Sequence, residues 1–226
     1  MRKAIPRAAL SSVRFAYVYH CLRGHSRKDK DGFCIDARGN PIPWITYPAL
    51  DYLTILHFSG ANVFEFGAGS STAWWSKRAR TVTSVEMDRD WYERVRRLNL
   101  PNVKVLLCQD GGSYPQTIGG HGQDFDVITI DGAERYRSAV HGVETLAPGG
   151  LMLLDNTEWY PNTAAFLRSK GFTEVDFFGF SPINSFPSVT SFFFRSDCRF
   201  FHCREAMNLN VIGGVGIIGG ALDDKP

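Results

Sequence analysis

The feature that most constrains the fold is a glycine turn, Glu65-Phe66-Gly67-Ala68-Gly69-Ser70-Ser71-Thr72, set between a β-rich run and a helical one. Residues 61–66 predict a strand, and residues 71–78 predict a helix capped at its amino end by Ser70 or Ser71. Glycines at 67 and 69 permit torsions and a close ligand approach that side chains would forbid. The helix that follows offers unsatisfied backbone N–H groups to a polar or anionic ligand. At the end of the next predicted strand, about twenty residues on, V-E-M-D carries Glu86 and Asp88. A carboxylate there can accept both ribose hydroxyl protons of a nucleoside. Two glycines alone would equally make a tight turn beside a solvated acid. Strand, helix and acid in register point instead to a nucleoside-cofactor site.

Strands and helices alternate onward from this turn. Strands are expected over 81–86, 103–107, 125–130 and 151–154, and helices over 90–98 and 135–146, the latter stopped by Pro148-Gly149-Gly150. After a helix over 161–169, the aromatic runs 172–180 and 189–195 flank a turn with Pro182, Asn184 and Pro187 and read as a hairpin. The expected fold class is therefore α/β: a Rossmann-like, doubly wound, mostly parallel seven-stranded sheet with an antiparallel last strand and helices on both faces. A chain of 226 residues fits one globular domain. Within it, a basic flank and helical cap over 1–60, including a helix over 47–58, packs on a core over 61–196, followed by a tail over 197–226. The glycine-rich end of that tail has no clear period; covering an edge strand, a homodimer contact and disorder are all open.

A formal charge of +2 does not point to a nucleic-acid partner. Basic residues do crowd the amino end, where Arg2, Lys3, Arg7, Arg14, Arg23, Arg27, Lys28 and Lys30 face only Asp29. A solvated flank is the main reading, with contact to an anionic membrane surface as the alternative. Five cysteines without a C-x-x-C spacing read as free thiols in a reducing compartment, so a cytoplasmic location is expected. Cys198, His202 and Cys203 lack a fourth ligand for zinc. No apolar run approaches the roughly 18–20 residues that span a bilayer.

From Val63 to Arg195 the sequence resembles the class I S-adenosylmethionine-dependent methyltransferases. Glu65 to Ser70 is similar to their first motif, which the resemblance makes the site of the methionine part of the cofactor; Ser71 and Thr72 extend it. Glu86, followed by Met87, matches the ribose-binding acid, and Gln109-Asp110 matches the position that meets adenine. Asp131 after V-I-T-I matches the fourth-strand motif, and L-A-P-G-G-L-M-L-L-D resembles the passage into the fifth strand. The implied cofactor-binding set is Glu65, Gly67, Ala68, Gly69, Ser70, Ser71, Thr72, Glu86, Met87, Asp110 and Asp131. The segment P-I-P-W-I-T-Y-P-A-L-D-Y-L is similar to a bacterial-type branch that shares the F-E-F-G-x-G-S-S-T turn.

Asp131, Asp155 and Asn156 all follow strands, and L-D-N-T-E-W resembles the D-N-T-x-W of metal-dependent catechol-type O-methyltransferases. That likeness implies Asp131, Asp155 and Asn156 as metal ligands, with Mg²⁺ the cation suited to such oxygens. The alternative is that Asp155 and Asn156 tie down their own loop. The chain has Glu134 where that family has a lysine base. Candidate catalytic bases are Asp131, Glu134 and His141, with His121 on a G-G-H-G loop. Arg135 and Arg137 could meet an anionic substrate or acids of the protein. Trp44, Tyr47, Trp74, Trp75, Trp159 and Tyr160 could wall the mouth of the site or pack in the core. No N-P-P-Y or D-P-P-Y follows the fourth strand and no Pro-Cys pair is present, so DNA methylation is not expected. The expected acceptor is a small-molecule or glycan-type oxygen nucleophile, with nitrogen acceptors open. Two other classes remain: an NAD(P)-dependent oxidoreductase, disfavoured because Thr72 stands at the third glycine and no Tyr-x-x-x-Lys is present, and a nucleoside-cofactor-binding module without catalysis.

Overall fold

Alternation of side chains along the strands decides the layers. The computed structural model describes residues 6–122, 124–201 and 211–215. Its central strands are β1 (Asn62–Phe66), β2 (Thr81–Glu86), β3 (Val103–Leu107), β4 (Phe125–Ile130) and β5 (Leu146–Asp155), followed by β6 (Thr173–Phe180) and β7 (Pro187–Phe194). The helices are α1 (Arg7–Ala16), α2 (Tyr47–Thr54), α3 (Ser70–Ser76), α4 (Arg89–Arg97), α5 (Arg135–Thr145) and α6 (Pro161–Ser169). Val63, Val127, Leu151, Leu153 and Phe192 bury one face of the sheet against Leu50 and Leu53 of α2 and Trp74 and Trp75 of α3. Their sequence neighbours Phe64, Ile128, Met152, Leu154 and Phe193 bury the other face against Ala139 of α5 and Ala164 and Leu167 of α6. Because the side-chain period of a strand is two, each strand serves both layers, and helices cover both faces.

The strand order is β3-β2-β1-β4-β5-β7-β6, with β1 to β5 mutually parallel and β7 antiparallel to both β5 and β6. This is the seven-stranded architecture expected from the sequence. Several boundaries differ, most of all the start of β5. Phe125 pairs with Leu146 but Val127 pairs with Leu151, so β5 starts before the Pro-Gly-Gly segment and carries it as a bulge. The basic flank is helical: α1 runs into a π-helical turn, Tyr17–Arg23, closed by Gly24 at φ +80°. None of the α1 residues is buried, and Leu10 and Val13 are exposed on it. Past this helix the chain does join the core, where Phe33, Cys34, Ile42 and Ile45 are buried. Arg2, Lys3, His202, Cys203 and most of the glycine-rich tail lie outside the described residues, whose cysteines are all free thiols. No described helix is long and apolar enough to cross a membrane.

Candidate functional site

The carboxyl ends of β1, β2, β4 and β5 open into one cleft of about 750 Å³. Its floor is the glycine turn. Gly67 leaves β1 at φ +99°, and a Cβ there would lie 2.9 Å from the backbone N and Cα of Gly132, in the loop after β4. Gly132 in turn leaves no room for a Cβ beside Gly67 N and the Tyr114 hydroxyl. The first glycine is thus required by backbone packing between two strand ends as well as by its torsion. Gly69 differs: among the described residues a Cβ there would meet nothing within 4 Å. Its missing side chain leaves open space on the cleft side of the turn, where a ligand can approach the backbone.

Glu86, at the end of β2, grips this turn. Its Oε2 accepts from Ala68 N at 2.8 Å, and Oε1 accepts from Met87 N and Asp88 N, both at 2.8 Å. Burial pushes its carboxyl above the usual range while these three N–H groups oppose the shift. A carboxylate has about four acceptor sites, so this one keeps a single site, on Oε2, for a ligand. That narrows the expectation of two ribose hydroxyls to one direct bond. Asp88 is occupied as the cap of α4, accepting from Trp91 N at 2.9 Å. Ser70, Ser71 and Met87 line the cleft, whereas Thr72 is buried and its Oγ1 accepts from Gly69 N at 3.1 Å. Glu65 is fully buried behind the turn: Ser84 Oγ donates to its Oε2 at 2.6 Å, Oε1 has no hydrogen-bond partner among the described residues, and burial pushes the carboxyl up to about 7.

Asp131, Arg135, Asp155 and Asn156 line the opposite side. Of the three residues expected to hold a metal, Asp131 and Asn156 present side-chain oxygens to a guanidinium, and Asp155 presents its main-chain carbonyl to it. Arg135 Nη2 contacts Asp131 Oδ1 at 3.1 Å, and Nη1 reaches both Asp155 O and Asn156 Oδ1. Asp155 Oδ1 also accepts from Thr190 Oγ1. Three residues already closed on an arginine do not fit a divalent cation, and among the described residues no cluster of His, Cys, Asp or Glu is arranged to hold one. Burial raises the carboxyls of Asp131 and Asp155, and Arg135 opposes both shifts.

Other expected site residues lie elsewhere. Asp110 closes its own loop, accepting from Ser113 Oγ at 2.6 Å and Gly112 N at 3.2 Å. Glu134 sits in the left-handed region at the start of α5, its Oε2 3.7 Å from Arg137, and His141 faces Glu144 at 3.7 Å. Neither lines the cleft. His121 packs against Phe64 and Phe125, and Arg137 donates to the carbonyls of Gly111 and Gly112. Tyr47, Trp74 and Trp75 are core residues, and Tyr160 stacks on Arg135. Only Trp44 and Trp159 of the expected aromatics reach the cleft. Gly32, Cys34, Trp91, Asn184 and Phe186 also line it, although the sequence singled out none of them as site residues. Trp91 stands on α4, and the other four arrive from loops whose docking no local motif encodes. A faint signal was present for Asn184, which lies in the predicted hairpin turn and accepts from Trp44 Nε1 at 3.2 Å.

No protein-family model matches the sequence, and no curated protein matches it significantly. Solved structures do. The precorrin-6y C5,15-methyltransferase of Geobacter metallireducens aligns with a TM-score of 0.55 at 16% identity over 74% of this chain and 96% of that one. The O-methyltransferase TomG of Streptomyces achromogenes, solved in complex with SAM, gives 0.55 at 12% identity over 85% and 99%. The fold is that of the class I methyltransferases. Precorrin 8w decarboxylase of Methanobacterium thermoautotrophicum shares it as well, with a TM-score of 0.51 at 19% identity over 74% and 98%. In this methyltransferase fold the cleft lies outside the carboxyl ends of the parallel strands, where open α/β sheets bind ligands.

Proposed function

We propose that this chain is an S-adenosylmethionine-dependent methyltransferase acting at an oxygen of a small-molecule or glycan-type acceptor. The observation that carries the reading is the joined turn: Glu86 holds the Ala68 N–H while the space over Gly69 stays open to the cleft. Bound there, S-adenosylmethionine supplies a sulfonium methyl, an electrophile that needs alignment and exclusion of water more than activation. Glu86 Oε2 accepts from one ribose hydroxyl, and the Met87 side chain borders the base. Ser70 and Ser71 offer hydroxyl groups to the methionine carboxylate. Asp131 takes the proton of the acceptor hydroxyl, and its upward-shifted carboxyl makes it a better base than a solvated aspartate. Trp44, Trp159 and Phe186 are exposed around the mouth, offering flat apolar faces to a sugar or aromatic ring.

The test uses methyl-labelled S-adenosylmethionine and fractionated metabolite extract, read by mass spectrometry. Wild-type protein is expected to label an acceptor, and Asp131→Asn to slow that labelling by about 10²–10⁴-fold while still binding cofactor. Undiminished labelling by Asp131→Asn removes the base assignment. Cofactor binding with no labelled product in any fraction favours a non-catalytic cofactor module.

A further inference from the structure

Every N–H bond of the Arg135 guanidinium ends inside the protein. From the first turn of α5, Nε donates to Gly132 O at 3.1 Å. Nη1 donates to Asp155 O and to Asn156 Oδ1 at 3.3 Å, and Nη2 to Asp131 O at 3.2 Å and Asp131 Oδ1 at 3.1 Å. Five donors meet five acceptors in the fixed fork of a side chain that does not deprotonate. The ring of Tyr160 closes one face at 4.4 Å, and the side chain is only 9% exposed. So complete a set of bonds leaves no donor for a substrate anion. It also sets a positive charge against the Asp131 carboxylate and the main-chain carbonyl of Asp155, where it opposes the mutual repulsion of the two carboxyls. A buried charge is tolerated only when paired and hydrogen-bonded, and here the pairing joins the loop after β4 to the end of β5.

We propose that Arg135 is a built-in substitute for a strand-end metal ion, a positioning residue that fixes Asp131 in the cleft so that methyl transfer proceeds without a divalent cation. The chemical part of this statement rests on the methyltransferase reading; the cation part does not. Asp131 Oδ1 and Asn156 Oδ1, two of the side-chain oxygens that would coordinate a metal, are already acceptors of the guanidinium, and Asp155 meets it through its main-chain carbonyl, so the two cations compete for the same strand ends. Removing the arginine then uncovers a site that a divalent ion can fill.

The test follows Mn²⁺ by its electron paramagnetic resonance signal in the full-length protein, with S-adenosylhomocysteine titrated into the same samples. Wild type is expected to bind no Mn²⁺ at millimolar concentration. Arg135→Ala should melt about 10 °C lower, gain one Mn²⁺ site, and recover part of the loss when Mn²⁺ is added. Arg135→Lys keeps a charge in place, so it should bind no Mn²⁺ and melt between the two. Rescue by a cation separates positioning by charge from simple packing, which no ion restores. One Mn²⁺ per wild-type chain, lost in Asp155→Asn, overturns the proposal, as does an Arg135→Ala protein of unchanged melting that ignores Mn²⁺. Should Arg135→Ala not fold, wild type and Arg135→Lys decide, and Mn²⁺ binding by either counts against the proposal. A wild type that binds S-adenosylhomocysteine and Mn²⁺ sinks this inference alone. One that binds neither leaves the guanidinium in the cation's place and removes the methyltransferase reading.

Discussion

At the scale of the residue, Gly67 and Gly132 meet backbone to backbone, and that contact sets the height of the cleft floor. Gly67→Ala puts a Cβ 2.9 Å from Gly132 at a φ of +99°. We expect it to lose about 2–5 kcal/mol in urea denaturation, and to weaken cofactor binding as the turn is displaced. Glu65 makes a pH prediction. Its folded carboxyl lies at about 7 against an ordinary 4.5, so the folded state holds a proton that the unfolded chain has released between those values. Its contribution is fully present below about pH 4.5 and is lost as pH rises toward 7, on the order of 3 kcal/mol in all. Glu65→Gln should therefore gain stability relative to wild type across that window; a difference that stays flat with pH contradicts the shift. Gly67 and Glu86 could be read from the sequence because a strand, a turn and a helix fix where they lie. Asp110, Glu134 and His141 do not line the cleft, because position along the chain does not fix where a side chain turns. Asp110 is consumed by its own loop, and the other two face charged neighbours on or beside α5.

At the scale of the element, β7 does more than complete the sheet. Thr190 Oγ1 donates to Asp155 Oδ1 on β5 and accepts from Thr46 N, at 3.0 Å, just ahead of α2. One buried hydroxyl thereby ties the antiparallel hairpin, the fifth strand and the amino-terminal cap together. Thr190→Val leaves both partners unsatisfied and should cost about 2–4 kcal/mol by thermal or chemical unfolding, with Thr190→Ser recovering most of it. Equal losses from Val and Ser would mean that packing, not the hydroxyl, holds this junction. The hairpin itself was legible, since aromatic and β-branched runs around a proline turn have few other uses. The start of β5 was not. Leu146 pairs with Phe125 across a bulge, a long-range pairing that overrides the local helix-stop signal of Pro148-Gly149-Gly150. The same holds for the loop carrying Gly32, Cys34 and Trp44, which reaches the cleft through two isolated bridges, Lys28 to Cys34 and Ile35 to Pro41.

At the scale of the whole molecule, a two-faced sheet buries both layers and leaves the strand ends free to carry chemistry, so fold and site meet along a single edge. Ligand binding at that edge is linked to global stability. S-adenosylhomocysteine at a hundred times its Kd should stabilise the protein by about 2.7 kcal/mol and raise Tm by about 5–10 °C, an increment that Gly67→Ala should reduce or abolish. The central claim is that the cleft is built for an adenosyl sulfonium cofactor. Its most direct test is calorimetric titration of the purified chain with S-adenosylhomocysteine and, separately, with NAD⁺, each with and without Mg²⁺. The account predicts one S-adenosylhomocysteine per chain, the same affinity with Mg²⁺ absent, and no heat from NAD⁺. Binding of NAD⁺ alone would contradict it, leaving a nucleoside site that serves an oxidoreductase.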